Sequence, residues 1–256
     1  MSVAAQEVLE LTVNEFATLC LCLELPQPIG LGQLPFAGLS AHQLTQMSRT
    51  CLESMAAKGY VEDLLGAKFR VREFPAQIIA VAAQASAVLR VLTTEAARPS
   101  GLAFVYVFER QAVVHEIRID GTHCLVPKPV DVALDEVAQG LGGLPDEHPI
   151  SAESVVLARA ELSSAPSVDG SHESPLRQLM RRDLARMIGS VRVDLAWPLR
   201  ESTIAPYLVM IASDERTMWL LTGIGDLPED MVTCRHASVG HVQRAFRAML
   251  AGSDFS

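Results

Sequence analysis

The residues best placed to do chemistry lie on one predicted hairpin, where His115, Glu116, Arg118, His123 and Cys124 fall close together. Imidazole, thiol and carboxylate at this density are what a metal site or an acid–base pair needs. Asp120-Gly121 is a strong two-residue hairpin turn, and a turn of that length sets Ile119 opposite Thr122. In that register Val113, His115, Ile117, Ile119, Cys124 and Val126 share one face, and Val114, Glu116, Arg118, His123 and Leu125 share the other. His115 and Cys124 become diagonal neighbours, but two soft ligands without a third or fourth do not hold zinc, so His115 reads as a satisfied core histidine. His123, opposite Arg118 and near Glu116, reads as part of a solvated or partner-facing cluster. No metal ligand set is expected.

Other motifs lead to turns and packing. Gly-x-Gly occurs at Gly30, Gly140 and Gly223, but each time proline stands where a dinucleotide loop needs a third small residue and a helix start. No phosphate-binding GxxxxGK[ST] loop, serine elbow or HExxH pair is present. Cys20 and Cys22 sit in an apolar helix pattern with their thiols pointing apart, and the carboxylate pairs Glu62-Asp63 and Glu229-Asp230 fall in predicted loops. Spacing along the chain does not test for a triad assembled by the fold. The reading is therefore no catalytic residue, no cofactor and no enzyme. One helix, LRQLMRRDLARMI, sets Arg177, Arg181, Arg182 and Arg186 away from its apolar stripe; it reads as a solvated face, with an acidic protein partner as the functional alternative.

The elements that must position these residues suit an α+β chain. Residues 11 to 25 have helical spacing after a Thr12–Glu15 capping box, and a second helix runs from Ser40 to a stop at Gly59. A short extended segment is expected within 60 to 71, then a helix from Pro75 to about Val91. Residues 101 to 109, 112 to 120 and 122 to 126 are β-branched and aromatic, which predicts three antiparallel strands. Helices from Val130 to Leu141 and from Ser151 to Leu162 follow, then a polar linker. After a helix from Pro175 to Ile188 the plan recurs: strands in SVRVDLAW, PYLVMIAS, MWLLTG and MVTCRH, and a closing helix from Ser238 to Leu250. This gives an N-terminal half 1–163, a linker 164–175 and a C-terminal half 176–256, with a single merged domain as the alternative.

Composition narrows the class. Hydrophobic residues form 49% and charged residues 20% of the chain, an ordinary globular balance. The formal net charge of -9 opposes binding to nucleic acid or anionic lipid unless a local basic surface prevails. The start carries Glu7 and Glu10 without Lys or Arg, unlike a secretory signal, and the apolar stretch from Pro75 to Leu89 is too short and polar to span a bilayer. Five scattered cysteines suit free thiols in a reducing compartment, so a cytoplasmic location is expected.

The order of passages resembles the EspG family of type VII (ESX) secretion-associated proteins. The passages are LTVNEFATLCLCLEL, MAAKGYVED, the long FVYVFERQAVVHEIRIDGTHCLVPKPVDVALDEVAQGL, ISAESVVLARAEL, and YLVMIASDERTMWLLTG before a last helix. The resemblance implies a central antiparallel sheet flanked by helical bundles, with two β-meander-plus-helix units in quasi-two-fold arrangement. It also implies a cytosolic chaperone that covers the exposed hydrophobic tip of a PE/PPE-like helical hairpin and keeps it soluble before export. No recognition residue carries over from the family. The partner face expected from register alone is Val114, Glu116, Arg118 and His123. The rival readings are a winged-helix-like DNA-binding regulator, suggested by KGYVED before FRVRE, and a protein-binding module of unknown partner.

Overall fold

The computed structural model describes residues 7–31, 36–63, 68–95, 98–140, 154–158, 189–196, 208–213, 218–222 and 231–251. The fold is α+β with antiparallel strand pairing. Two compact units are present, one built on residues up to Val88 with 103–130, the other on 89–102 and the described residues from Asp131 onward. The linker 164–175, the arginine-rich helix 175–188 and the Glu229-Asp230 pair lie outside the described residues.

In the first unit β1 (Leu9–Leu11) leads into α1 (Val13–Cys22), whose start carries the expected capping box. Thr12 Oγ1 accepts from the Glu15 amide at 3.2 Å, and Glu15 Oε2 accepts from the Thr12 amide at 2.7 Å. The same carboxylate reaches α2 (Ala41–Ala57), accepting from Ser54 Oγ at 2.8 Å and Lys58 Nζ at 2.8 Å. Burial alone would raise the Glu15 pKa; the Lys58 hydrogen bond, with the Thr12 amide and Ser54 hydroxyl, outweighs it and holds the carboxyl below its ordinary value. A buried charge so fully bonded welds two helices together, and removing Lys58 alone would strand it.

The end of α2 follows from Gly59. Its φ of 75° allows the Gly59 amide to meet Ala56 O at 3.0 Å and the Tyr60 amide to meet Met55 O at 2.9 Å. This double closure needs a left-handed residue, which glycine adopts without a Cβ penalty. The chain turned in this way brings Tyr60 and Lys58 to the free edge of β1. Tyr60 Oη accepts from the Glu10 amide at 3.2 Å, and Lys58 Nζ donates to Glu10 O at 3.3 Å. An edge strand that would otherwise template foreign pairing is thereby covered. β2 (Val61–Asp63) and β3 (Phe69–Val71) then form a small separate hairpin, with an ion pair between Arg72 and Glu62 at 3.4 Å.

The helix expected from Pro75 to Val91 is shorter and earlier. α3 spans Glu73–Ala83, with Pro75 in its first turn where the missing amide costs no helical bond. The Ser86 amide is then captured by Val107 O at 2.9 Å, and residues Ala87–Glu95 run as strand β4. The β-branched content of this stretch suits a strand, and pairing with distant residues outweighs its continuation of a helical apolar spacing. β5 (Arg98–Phe108), β6 (Gln111–Ile117) and β7 (His123–Pro129) follow, in the order β1-β7-β6-β5 within this unit. The fully buried side chains Leu9, Leu11, Phe16, Leu19, Met55, Ile79, Tyr106 and Leu125 fill its core.

In the second unit α4 (Val130–Gly140) precedes β8 (Ser154–Ala158), β9 (Gly189–Ala196), β10 (Leu208–Ser213), β11 (Met218–Thr222), β12 (Met231–His236) and α5 (Val239–Ala251). The strand order here is β9-β10-β11-β12-β8. The helix expected from Ser151 to Leu162 is corrected: within it, Ser154–Ala158 pairs antiparallel with Met231–Arg235. The β-branched pair Val155-Val156 fits a ladder that no local spacing reveals. Arg247 of α5 meets Asp131 at 3.3 Å and Asp135 at 3.1 Å, two carboxylates one helical turn apart on α4.

Candidate functional site

The β6–β7 hairpin turns through three residues, one more than Asp120-Gly121 alone would use. The Arg118 amide donates to Thr122 O and the Gly121 amide to Arg118 O, each at 2.9 Å, with Gly121 at φ 80°. Asp120 Oδ1 also accepts from the Thr122 amide at 2.9 Å, which favours this longer turn and lowers the Asp120 pKa. The register becomes Ile117 opposite His123, Glu116 opposite Cys124 and His115 opposite Leu125. A one-residue slip exchanges faces on one strand only, so the expected partners are corrected: His123 joins His115, and Cys124 joins Glu116.

On the inner face the two histidines form a buried chain with Tyr106, which stands on β5. Tyr106 Oη lies 2.5 Å from Ile29 O and 3.0 Å from His115 Nδ1, and His115 Nε2 lies 2.8 Å from His123 Nδ1. Donor direction follows from chemistry. A carbonyl only accepts, so the phenol donates to Ile29 and has no second proton. His115 Nδ1 must then carry its hydrogen and donate to Tyr106, which leaves Nε2 as acceptor for the Nδ1–H of His123. A proton added to His115 Nε2 would face that hydrogen directly. Burial, and secondly the neighbouring His123, accordingly push His115 down to about 3, and burial lowers His123 as well. Phe16 packs edge-on against both imidazoles, with ring centroids at 5.7 and 5.9 Å. His123 is 5% exposed and therefore belongs to the core rather than to a surface cluster. The chain works as a neutral strut that ties residues near Ile29 to three strands.

The outer face of the same hairpin is accessible. Glu116 and Arg118 are exposed and Val114 and Val126 are half-buried, while Cys124 is buried between Glu116 and Glu10 in the ladder. Glu10 joins this face through β1 and pairs with Arg118 at 2.8 Å. The sequence signal for Glu10 is the Leu9-Glu10-Leu11 alternation just before the first helix. At the turn Ile119 is 92% exposed, an isolated apolar tip beside the ion pair. Three of the four expected partner residues thus share a surface, and the fourth does not.

A serine–histidine contact that spacing in sequence did not single out occurs in the second unit. Ser238 Oγ lies 2.9 Å from His241 Nδ1, the Ser238 amide also donates to that nitrogen at 3.4 Å, and the His241 amide returns to Ser238 O at 3.0 Å. This is a helix cap with histidine in the place of glutamate, and Ser238 is fully buried. Cys20 is pushed up to about 12 by burial, and burial also raises Cys22, Cys51 and Cys124, so these thiols stay protonated and weakly nucleophilic. Among the described residues no three His, Cys, Asp or Glu side chains cluster as a metal set, and no helix is long and apolar enough to cross a membrane.

No protein-family model matches the sequence, and no curated protein matches it. Among solved structures the chain is similar to the Mycobacterium tuberculosis type VII secretion system chaperone EspG5, solved in complex with the PE25–PPE41 dimer. The match has a TM-score of 0.62 at 13% identity and covers 95% of this chain and 96% of that one. The EspG resemblance in the sequence therefore extends to the fold over nearly its full length.

Proposed function

We propose that this protein is an EspG-type secretion chaperone that binds the exposed hydrophobic tip of a PE/PPE-like helical hairpin and keeps it soluble in the cytoplasm before type VII export. The observation that carries this reading is the near full-length fold match to a chaperone solved with such a dimer. The physical task is burial. An apolar tip left in water drives aggregation, and a partner that covers it removes that surface without any covalent step.

Part of the contact surface is the outer hairpin face, where Val114 and Val126 offer apolar area and Glu116, Arg118 and Glu10 fix polarity. His123 acts behind this face by holding it in shape. The DNA-binding alternative fares worse, because a net charge of -9 opposes approach to a duplex. The test is co-expression with a pair of small helical proteins of PE/PPE type, followed by affinity capture and size-exclusion chromatography. We expect a soluble stoichiometric complex that Glu116→Lys together with Arg118→Glu weakens. A PE/PPE-type pair that stays insoluble, and never co-elutes, would sink the reading.

A further inference from the structure

The first unit contains a concave surface on the α3 side of the hairpin. A cavity of about 380 Å³ lies between α3 and the ends of β6 and β7 that are remote from the Asp120-Gly121 turn. Its volume falls in the range that accepts a few side chains. The floor is apolar, formed by Phe74, Ile78, Val81, Ala112 and Val113. The rim is Gln77, Arg110, Gln111 and Lys128, and no lining residue is acidic. In a chain of net charge -9, a cleft lined by two cations and no carboxylate suits an acidic group. Two carboxylates adjoin the rim without lining it: Glu73 accepts from Gln77 Nε2 at 2.8 Å, and the exposed Glu109 precedes Arg110 in its turn.

Arg110 is the exposed cation of the rim. It sits in the tight turn between β5 and β6, where Glu109 adopts a φ of 53°, and its carbonyl accepts from the Val130 amide at 3.2 Å. Phe108 pairs with Gln111, so Glu109 and Arg110 are the two loop residues of a hairpin, and a left-handed residue is what so short a turn requires. The exposed Arg110 guanidinium has no hydrogen-bond or ion-pair partner among the described residues. A planar fork of donors above an apolar floor is matched by a carboxylate beside an apolar side chain.

We propose that this groove docks a segment of a protein partner in which an apolar side chain is followed directly by Asp or Glu, the apolar group entering the floor and the carboxylate meeting Arg110. Gln77 and Gln111 are placed to hydrogen-bond the peptide backbone on either side. The proposal does not depend on the chaperone reading.

The experiment titrates the labelled full-length chain with the free peptide Gly-Ser-Leu-Asp-Glu-Ser-Gly and maps amide shifts by NMR, with Leu-Asn-Gln in place of Leu-Asp-Glu as the charge control. Saturable shifts are expected around Phe74, Gln77 and Val113, falling with added salt and absent with the control peptide. Arg110→Glu should weaken binding roughly tenfold, while Arg49→Glu, the same charge change on an exposed face of α2, should leave it unchanged. Shifts elsewhere, or none up to about millimolar peptide, overturn the proposal. So does equal weakening by both variants, which marks non-specific attraction. Raising the protein concentration alone must not shift the same amides, since that result assigns the groove to a second copy. Because the probe is a free peptide, failure to capture a secretion substrate does not bear on the outcome.

Discussion

The two faces of the β6–β7 hairpin are made from neighbouring residues of the same strands, yet they differ in almost every physical respect. The inner face holds His115 and His123 as neutral groups bonded to each other under Phe16, and the outer face holds Glu116 and Arg118 in water. The contrast teaches that residue type alone does not assign a role to a histidine or a glutamate. Parity within the strand, set by the length of one turn, decides whether a polar side chain braces the core or faces solvent.

The sharpest way to break this comparison is Phe16→Ala, which opens a void against both imidazoles. Loss of about 3–5 kcal/mol in denaturant unfolding is expected. A loss below about 1 kcal/mol would show that the inner face is not packed as described.

Acid provides a smaller and more selective probe. The folded-state pKa values of His115 and His123 lie below their ordinary value near 6.5, so the unfolded chain takes up the protons that the folded chain refuses. Stability from this source is complete above about pH 6.5 and declines as the pH falls from there toward the lowered values, by at most about 1.4 kcal/mol per pH unit for each histidine. Unfolding free energies measured from pH 7 to 4.5 should show this slope, and it should shrink in His115→Leu. An unchanged slope in that variant would remove His115 from the account.

The smallest effect belongs to the outer face. Arg118→Ala, which breaks the exposed pair with Glu10, should leave the thermal midpoint within the reproducibility of the melt. The same substitution should weaken substrate capture if the outer face is part of the chaperone surface. A large drop in Tm would instead make that pair a structural element and erase the distinction between the faces.

Much of the local architecture was legible because its causes are local. Thr12 with Glu15 and Ser40 with Gln43 cap their helices through atoms three residues apart, and Gly59 ends α2 because it alone can reverse the chain there without strain. The tight turn at Gly121 and the succession of strands from Phe104 onward were visible for the same reason. Glu10 was not read as part of the site because a three-residue strand gives too little alternation to stand out from the helix that follows it. The segments 87–91 and 154–158 were misread as helix because a short apolar run has no reliable period of its own.

By itself the sequence determined the α+β class, the helix caps and the apolar segments that build the core, since each follows from backbone and side-chain preferences acting over a few residues. Only the tertiary structure decided the hairpin register, the burial of His123, the entry of Glu10 into the outer face and the strand identity of Ser154–Ala158. Those outcomes depend on hydrogen bonds between residues far apart in the chain or on the choice between turns that differ by one residue. Their energies are settled when the partners meet, and no local pattern encodes which partner that will be.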